Sequence, residues 1–164
     1  RALTKLLLSV DWGVDSEVAQ VENLLAEWAR RAPIDAPDAL KLLGRERTFQ
    51  AEVVRRFAVD ALRRASDDEL LTFLLQLVQA LRYQPTGGGA EPGAGGGDGG
   101  AGGGEGAGGG VSALAQFLIE RACKSLKLAN FFFWYLRVEL EDATHGHIFR
   151  SVQAAFQSSM GRTP

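Results

Sequence analysis

One cysteine, Cys123, stands in the whole chain, so no internal disulfide can form and a reducing compartment is expected. It sits in an apolar helical stretch with no histidine at motif distance, and a buried, inert thiol is the expectation. Histidine is nearly as scarce. His145 and His147 flank Gly146 and are the only two. Neither a cysteine nor a third histidine supports them as metal ligands, and they are expected in an exposed turn between helices. No Ser/His/Asp signature or metalloprotease motif occurs. Long hydrophobic runs are absent too. The longest, Leu128 to Leu136, is about half of what a helix needs to cross a bilayer. The opening residues lack the basic region, apolar stretch and cleavage site of a signal peptide. Starting on Arg1 and stopping at Pro164, the sequence reads as an excerpt from something longer.

Charge of one sign is missing as well. Residues 1–84 carry 12 basic and 13 acidic side chains, and residues 111–164 carry 6 and 4. Neither block has the basic excess of a nucleic-acid or anionic-membrane binder. Arg55, Arg56, Arg63 and Arg64 do cluster, but Asp60, Asp67, Asp68 and Glu69 accompany them. A solvated helix face with pairs four residues apart is expected there, rather than a phosphate site.

Glycine, by contrast, is concentrated: 16 of the 20 fall between Gly87 and Gly110. A nucleotide-binding loop would need Gly-Lys-Ser or Gly-Lys-Thr leading into a helix. No lysine occurs between Lys41 and Lys124, and the preceding element is a helix rather than the strand of a dinucleotide fold. The tract is expected to be a disordered low-complexity insert over residues 85–110. It divides one helical domain into a first part, 1–84, and an incomplete second part, 111–164. Lengthening a connection from about 4 to about 25 residues costs only some 1.6 kcal/mol of closure entropy, so insertion within a domain is tolerable.

Helical periodicity fills both blocks, and strand signals are nearly absent. Leu3 to Val10 reads as a short helix stopped at Asp11-Trp12-Gly13. Asp15 is placed to cap the next helix, whose Val18, Val21, Leu25 and Trp28 share a face. Asp35 caps a short helix with Pro37 in its first turn, running through Leu40, Leu42 and Leu43 to Gly44. Val54, Phe57, Ala58, Ala61 and Leu62 repeat at helical spacing. Ser66 with Glu69 forms a capping box, and Asp67, Asp68 and Glu69 suit the positive end of the helix dipole. Leu70, Leu71, Phe73, Leu74, Leu75, Leu77, Val78 and Leu81 then wrap most of one helix, which must be central and covered on more than one side. After the insert, Leu114, Phe117, Leu118 and Ala122 mark one helix, Leu128 to Asp142 a second, and Val152, Ala155, Phe156 and Met160 a third. About eight helices with short turns predict an all-α chain. Its expected architecture is an irregular α-solenoid, an armadillo- or HEAT-like stack of antiparallel helix pairs. No repeat of fixed period is present. Five consecutive aromatics, Phe131 to Tyr135, cannot all reach one core, and interface cores are rich in such residues.

Pro33 to Leu43, Val54 to Leu62 with Asp67 to Tyr83, and Phe117 to Cys123 with Leu128 to Leu136 together resemble the helical accessory domain of phosphatidylinositol 3- and 4-kinases. The core Leu74-Leu75-Gln76-Leu77-Val78-Gln79-Ala80-Leu81 is the most specific part. Leu128-Ala129-Asn130-Phe131-Phe132-Phe133-Trp134-Tyr135-Leu136 and the long insert look most like the class III enzyme. Class I enzymes and the 4-kinases, whose connection is expected to be shorter, are the nearest alternatives. The resemblance implies a parent that uses ATP with Mg or Mn to phosphorylate phosphatidylinositol at its 3-hydroxyl. That parent would be cytoplasmic and peripheral on endosomal or autophagic membranes, with roles in trafficking and autophagy. The Asp-Arg-His loop and Asp-Phe-Gly motif of its kinase domain do not occur here. No catalytic, cofactor or metal residue is therefore carried over, and no C2 sequence is recognisable. The expected role is a non-catalytic spine for the parent's kinase and C2 domains, with regulatory subunits as further partners. Arg55, Arg56, Phe132, Phe133, Trp134 and Tyr135 are the candidate interdomain contacts. A stand-alone helical-repeat scaffold for protein partners is the reading from a different class.

Overall fold

A computed structural model describes residues 2–46, 49, 51–83 and 111–161. The expected glycine-rich insert, 85–110, lies outside the described residues. Eight α-helices occupy the described part: α1 (Ala2–Leu8), α2 (Asp15–Arg31), α3 (Ala36–Leu42), α4 (Glu52–Leu62), α5 (Asp67–Ala80), α6 (Ala113–Lys124), α7 (Leu126–Glu139) and α8 (Gly146–Met160). A 3-10 turn, Leu81–Tyr83, extends α5. The all-helical expectation holds.

Local chemistry sets most of the boundaries. Asp35 accepts the Asp38 amide and Pro37 sits in the first turn of α3. Ser66 and Glu69 form the reciprocal capping box of α5, which satisfies two amides that the helix itself cannot. Ser125 ends α6 and starts α7 with one extended residue, its hydroxyl accepting the Leu128 amide. One expected cap is different. Val14, not Asp15, occupies the cap position of α2. Asp15 and Glu17 instead sit in the first turn, where they favour the dipole, and Glu17 accepts the Asp11 amide across the turn.

The helices sort into two rows. In one, α3 packs on α5 and α5 on α7; in the other, α2 packs on α4, α4 on α6 and α6 on α8. Between the rows α3 meets α4, and α7 lies against both α6 and α8. From α2 onward each helix thus finds a neighbour two places along the chain, the arrangement that stacked helix pairs produce. Within the odd row α5 and α7 run parallel and in register. Lys127 near the start of α7 reaches Asp68 near the start of α5, and Arg82 just past α5 reaches Glu139 at the end of α7.

A single buried cluster runs through the helices on both sides of residues 84–110. From the earlier helices it takes Leu43, Val54, Leu62, Leu70, Leu77 and Leu81; from the later ones it takes Leu114, Phe117, Phe132, Leu136 and Phe149. The face predicted for α4, from Val54 to Leu62, is buried throughout, as is that of α6. Three apolar residues depart from expectation. Leu75 is 40% exposed and Met160 41%, since α5 and α8 are covered on part of their circumference only. Cys123 is half-buried, not enclosed. The His-Gly-His turn also holds more than surface. Gly146 is buried at the start of α8, and a Cβ there would lie 2.6 Å from the Leu140 carbonyl oxygen, a main-chain contact that only glycine accommodates.

Leu74 is 2% exposed inside this cluster. Leu74→Asp would bury an unpaired carboxylate, and loss of the cooperative thermal transition is expected. A native-like melt of that variant would show that the core lies elsewhere.

Candidate docking surface on the aromatic helix

Helix α7 divides its five aromatics by angle. Phe132 points inward with Leu128, Ala129 and Leu136, and meets Phe156 of α8 edge to face at 5.1 Å. Phe131, Trp134 and Val138, at i, i+3 and i+7, share the outward face. They are 39%, 58% and 73% exposed. Phe133 and Tyr135 flank this stripe, half-buried. Tyr135 lies 6.0 Å from Phe131 and Phe133 packs edge-on against Trp134 at 5.5 Å. These ring contacts brace the stripe from both sides. Leu75, exposed on the adjacent and parallel α5, adds to the apolar surface of the odd row. Of the residues expected in a contact surface on this helix, the structure leaves Trp134 exposed and Phe133 and Tyr135 half-exposed; Phe132 is core. Phe131, the first of the aromatic run, joins them on the outward face, and Val138 was missed, although its spacing from Phe131 and Trp134 is legible in the sequence.

The basic helix is different. Arg56 is exposed and paired with Glu52 at 2.6 Å. Arg55 is 3% exposed and is the one charged side chain buried among the described residues, so the solvated face expected there excludes it. Its Nη2 donates to the carbonyl of Tyr83 at 2.5 Å and, more weakly, to that of Gly44 at 3.5 Å. Those carbonyls lie just past the C-terminal ends of α5 and α3, where the helix dipoles are negative. Nε and Nη1 find no acceptor among the described residues. Burial without a carboxylate pushes the guanidinium down to about 10. Sequence reasoning missed this clamp because Arg55 is flanked by Arg56 and a charge run looks solvated. The buried positions Val54, Phe57, Ala58 and Leu62 fix the inner face of α4, and Arg55 lies at its edge. Arg56 belongs to the even row and Trp134 to the odd one, so the two expected contact helices do not form one patch.

Between α2 and α4 runs a groove of about 350 Å³, floored by Leu25, Ala29, Phe57 and Ala61 and rimmed by Glu22 and Arg64. At the α7–α8 turn Asp142 accepts the amides of His145 and Thr144 at 2.8 Å each, which hold its carboxyl below the usual carboxylate range. Among the described residues no three His, Cys, Asp or Glu side chains gather as metal ligands, and no helix is long and apolar enough to cross a membrane.

The family model of the phosphoinositide 3-kinase accessory domain, the PIK domain, matches residues 1–164. The chain belongs to this family. It is 40% identical over 163 residues to the phosphatidylinositol 3-kinase pik3 of Schizosaccharomyces pombe, covering 99% of this chain and 18% of that one. Against the phosphatidylinositol 3-kinase VPS34 of Arabidopsis thaliana it is 36% identical over 164 residues, which is 100% of this chain and 17% of the relative. The root isoform of the Glycine max phosphatidylinositol 3-kinase is 36% identical over 160 residues, 98% of the chain and 16% of the relative. These relatives bear out the likeness to class III enzymes. The PIK-domain chain spans less than a fifth of their length.

Arg55 gives the PIK domain a specific pH dependence. In the unfolded chain the guanidinium keeps its ordinary, higher value, while burial lowers the folded one to about 10, so the burial cost is fully present below the folded value. Between the two values the unfolded chain binds more protons, and folding stability rises with pH. Arg55→Met has no such group. The difference in urea midpoint between the native chain and Arg55→Met is therefore expected to shift in favour of the native chain between about pH 9 and about pH 11. A constant difference would mean that Arg55 is hydrated in the folded state.

Proposed function

We propose that this PIK domain is the non-catalytic scaffold of a class III phosphatidylinositol 3-kinase, a spine against which the kinase domain of the parent is held. The observation that carries the reading is the braced, outward stripe Phe131, Trp134 and Val138 on a chain that matches the accessory domain along its whole length. An apolar stripe of this kind on a rigid helix suits a covered interface better than open water. Residues 1–84 and 111–164 act as one domain in this reading. Trp134, Phe133 and Tyr135 form the interdomain contact together with Phe131 and Val138, and Arg56 makes a separate one from the even row.

The parent would transfer the γ-phosphate of ATP, with Mg or Mn, to the 3-hydroxyl of phosphatidylinositol. Both ATP and the metal belong to its kinase domain, and no residue of this chain is assigned to them. Its partners are the parent's kinase and C2 domains and regulatory subunits. Its place is cytoplasmic, peripheral on endosomal or autophagic membranes, in trafficking and autophagy.

The test uses the full-length parent. Trp134→Ala with Val138→Asp changes exposed side chains, so the thermal stability of the 164-residue chain is expected to stay within about 0.5 kcal/mol. Lipid kinase activity of the parent is expected to fall about five- to tenfold, the loss that one interface anchor of roughly 1–1.4 kcal/mol produces. Full activity in the double variant would remove the stripe from the interdomain contact.

A further inference from the structure

Helices α4 and α5 present a surface, and the segment 111–161 is shaped to fill it. We propose that this interface holds the PIK domain together by itself, so that a break in the covalent connection between Tyr83 and Val111 leaves the two pieces assembled. The inference rests on the reading that both pieces form one domain, and is independent of any contact with a kinase domain.

Three sets of contacts carry it. The apolar set is the packing of α6 on α4, of α7 on α5 and of α8 on the 3-10 turn, with Phe117, Phe132 and Phe149 at 1% exposure or less. The second is a clamp made by Arg121 of α6 on the α4–α5 turn. Its Nη2 donates to the Ala65 carbonyl at 2.9 Å, its Nη1 to the Arg63 carbonyl at 3.4 Å and its Nε to Asp67 at 3.2 Å. The same guanidinium and that of Arg63 lie over the Phe117 ring, so the cations cover the aromatic that fills the core beneath them. Arg63 also pairs with Glu120 at 3.0 Å. The third joins Arg82 to Glu139, a half-buried pair, and places Arg82 over Phe149.

Charge sets the direction of docking. At one end of the α5–α7 contact Asp68 meets Lys127, and at the other Arg82 meets Glu139. Reversing α7 on α5 would set Asp68 against Glu139 and Arg82 against Lys127, two like-charge pairs. Both halves contribute cations and anions, so the interface is complementary in sign as well as in shape. The recognition groups named above belong to the described residues on either side. The covalent connection raises the local concentration of the partner.

The experiment places a specific protease sequence between Gly95 and Gly104 of the full-length parent and cuts it to completion. Gel filtration at about 1 μM, a concentration that holds complexes with Kd well below it, then separates or retains the pieces. One particle of unchanged size is expected from the native sequence. Arg121→Glu sets a carboxylate against Asp67 and two carbonyls. That variant is expected to elute normally when uncut and as two pieces when cut. Arg121→Lys keeps a cation on Asp67 and is expected to stay whole after cutting, which guards against a glutamate variant that fails to fold. Separation of the cut native enzyme would overturn the proposal. A cut Arg121→Glu enzyme that stays whole would overturn the Arg121 clamp as a necessary part of this interface.

Discussion

Everything in this fold depends on covering α5. Its buried residues, Leu70, Leu74, Leu77, Val78 and Ala80, continued by Leu81, are too many and too widely spread around the helix for one neighbour. Ordering a helix of this length costs about as much free energy as burying its side chains returns, so an uncovered α5 would not persist. The helix is covered by α3 from earlier in the chain and by α7 from beyond the glycine-rich stretch. The central element of the first block therefore requires the second block, and the two-row stack follows from that need. α7 runs parallel to α5 and must lie in the same row, and α6 has to occupy the other row beside α4.

Arginines finish what apolar packing begins. Arg55, Arg82 and Arg121 sit near junctions between helices, where carbonyls and first-turn acids are left without helical partners. Arg55 reaches the carbonyls after α3 and α5, Arg121 the carbonyls and Asp67 of the α4–α5 turn, and Arg82 the acids at the end of α7. Arg82 and Arg121 also lie over core phenylalanines, so their charge is masked on one side by a ring face and on the other by oxygen. At Arg55, burial lowers the guanidinium to about 10. Three cations in successive helical units tie loops that hydrophobic burial alone would leave free to drift.

Much of this was legible in the residues. The capping box at Ser66, the Asp35 cap and the spacing of Val54, Phe57, Ala58, Ala61 and Leu62 each point to a helix boundary or face by local rules, and the structure follows them. The cap of α2 was misread because Glu17, six residues from Asp11, answers that amide across the turn, a contact that no cap pattern contains. Leu75 was counted as core because periodicity reports how apolar a helix is, not which side its neighbours leave open. Arg55 shows the same limit from the polar side. Its partners Gly44 and Tyr83 are 11 and 28 residues away, and both offer main-chain oxygens that carry no residue signature. For the docking surface, the aromatic run was evident. Its division into one core ring, Phe132, and an outward stripe, Phe131, Trp134 and Val138, required the packing of α8 and α6 beneath it.

Native-state hydrogen exchange at Leu74 in α5 and Phe132 in α7 tests the shared core most directly. The account predicts that both amides open with the same free energy, within about 0.5 kcal/mol, because neither helix can persist after losing the other. Exchange at Phe132 that persists in protection while Leu74 opens at a much lower free energy, or the reverse, would contradict it and divide the PIK domain into two independent units.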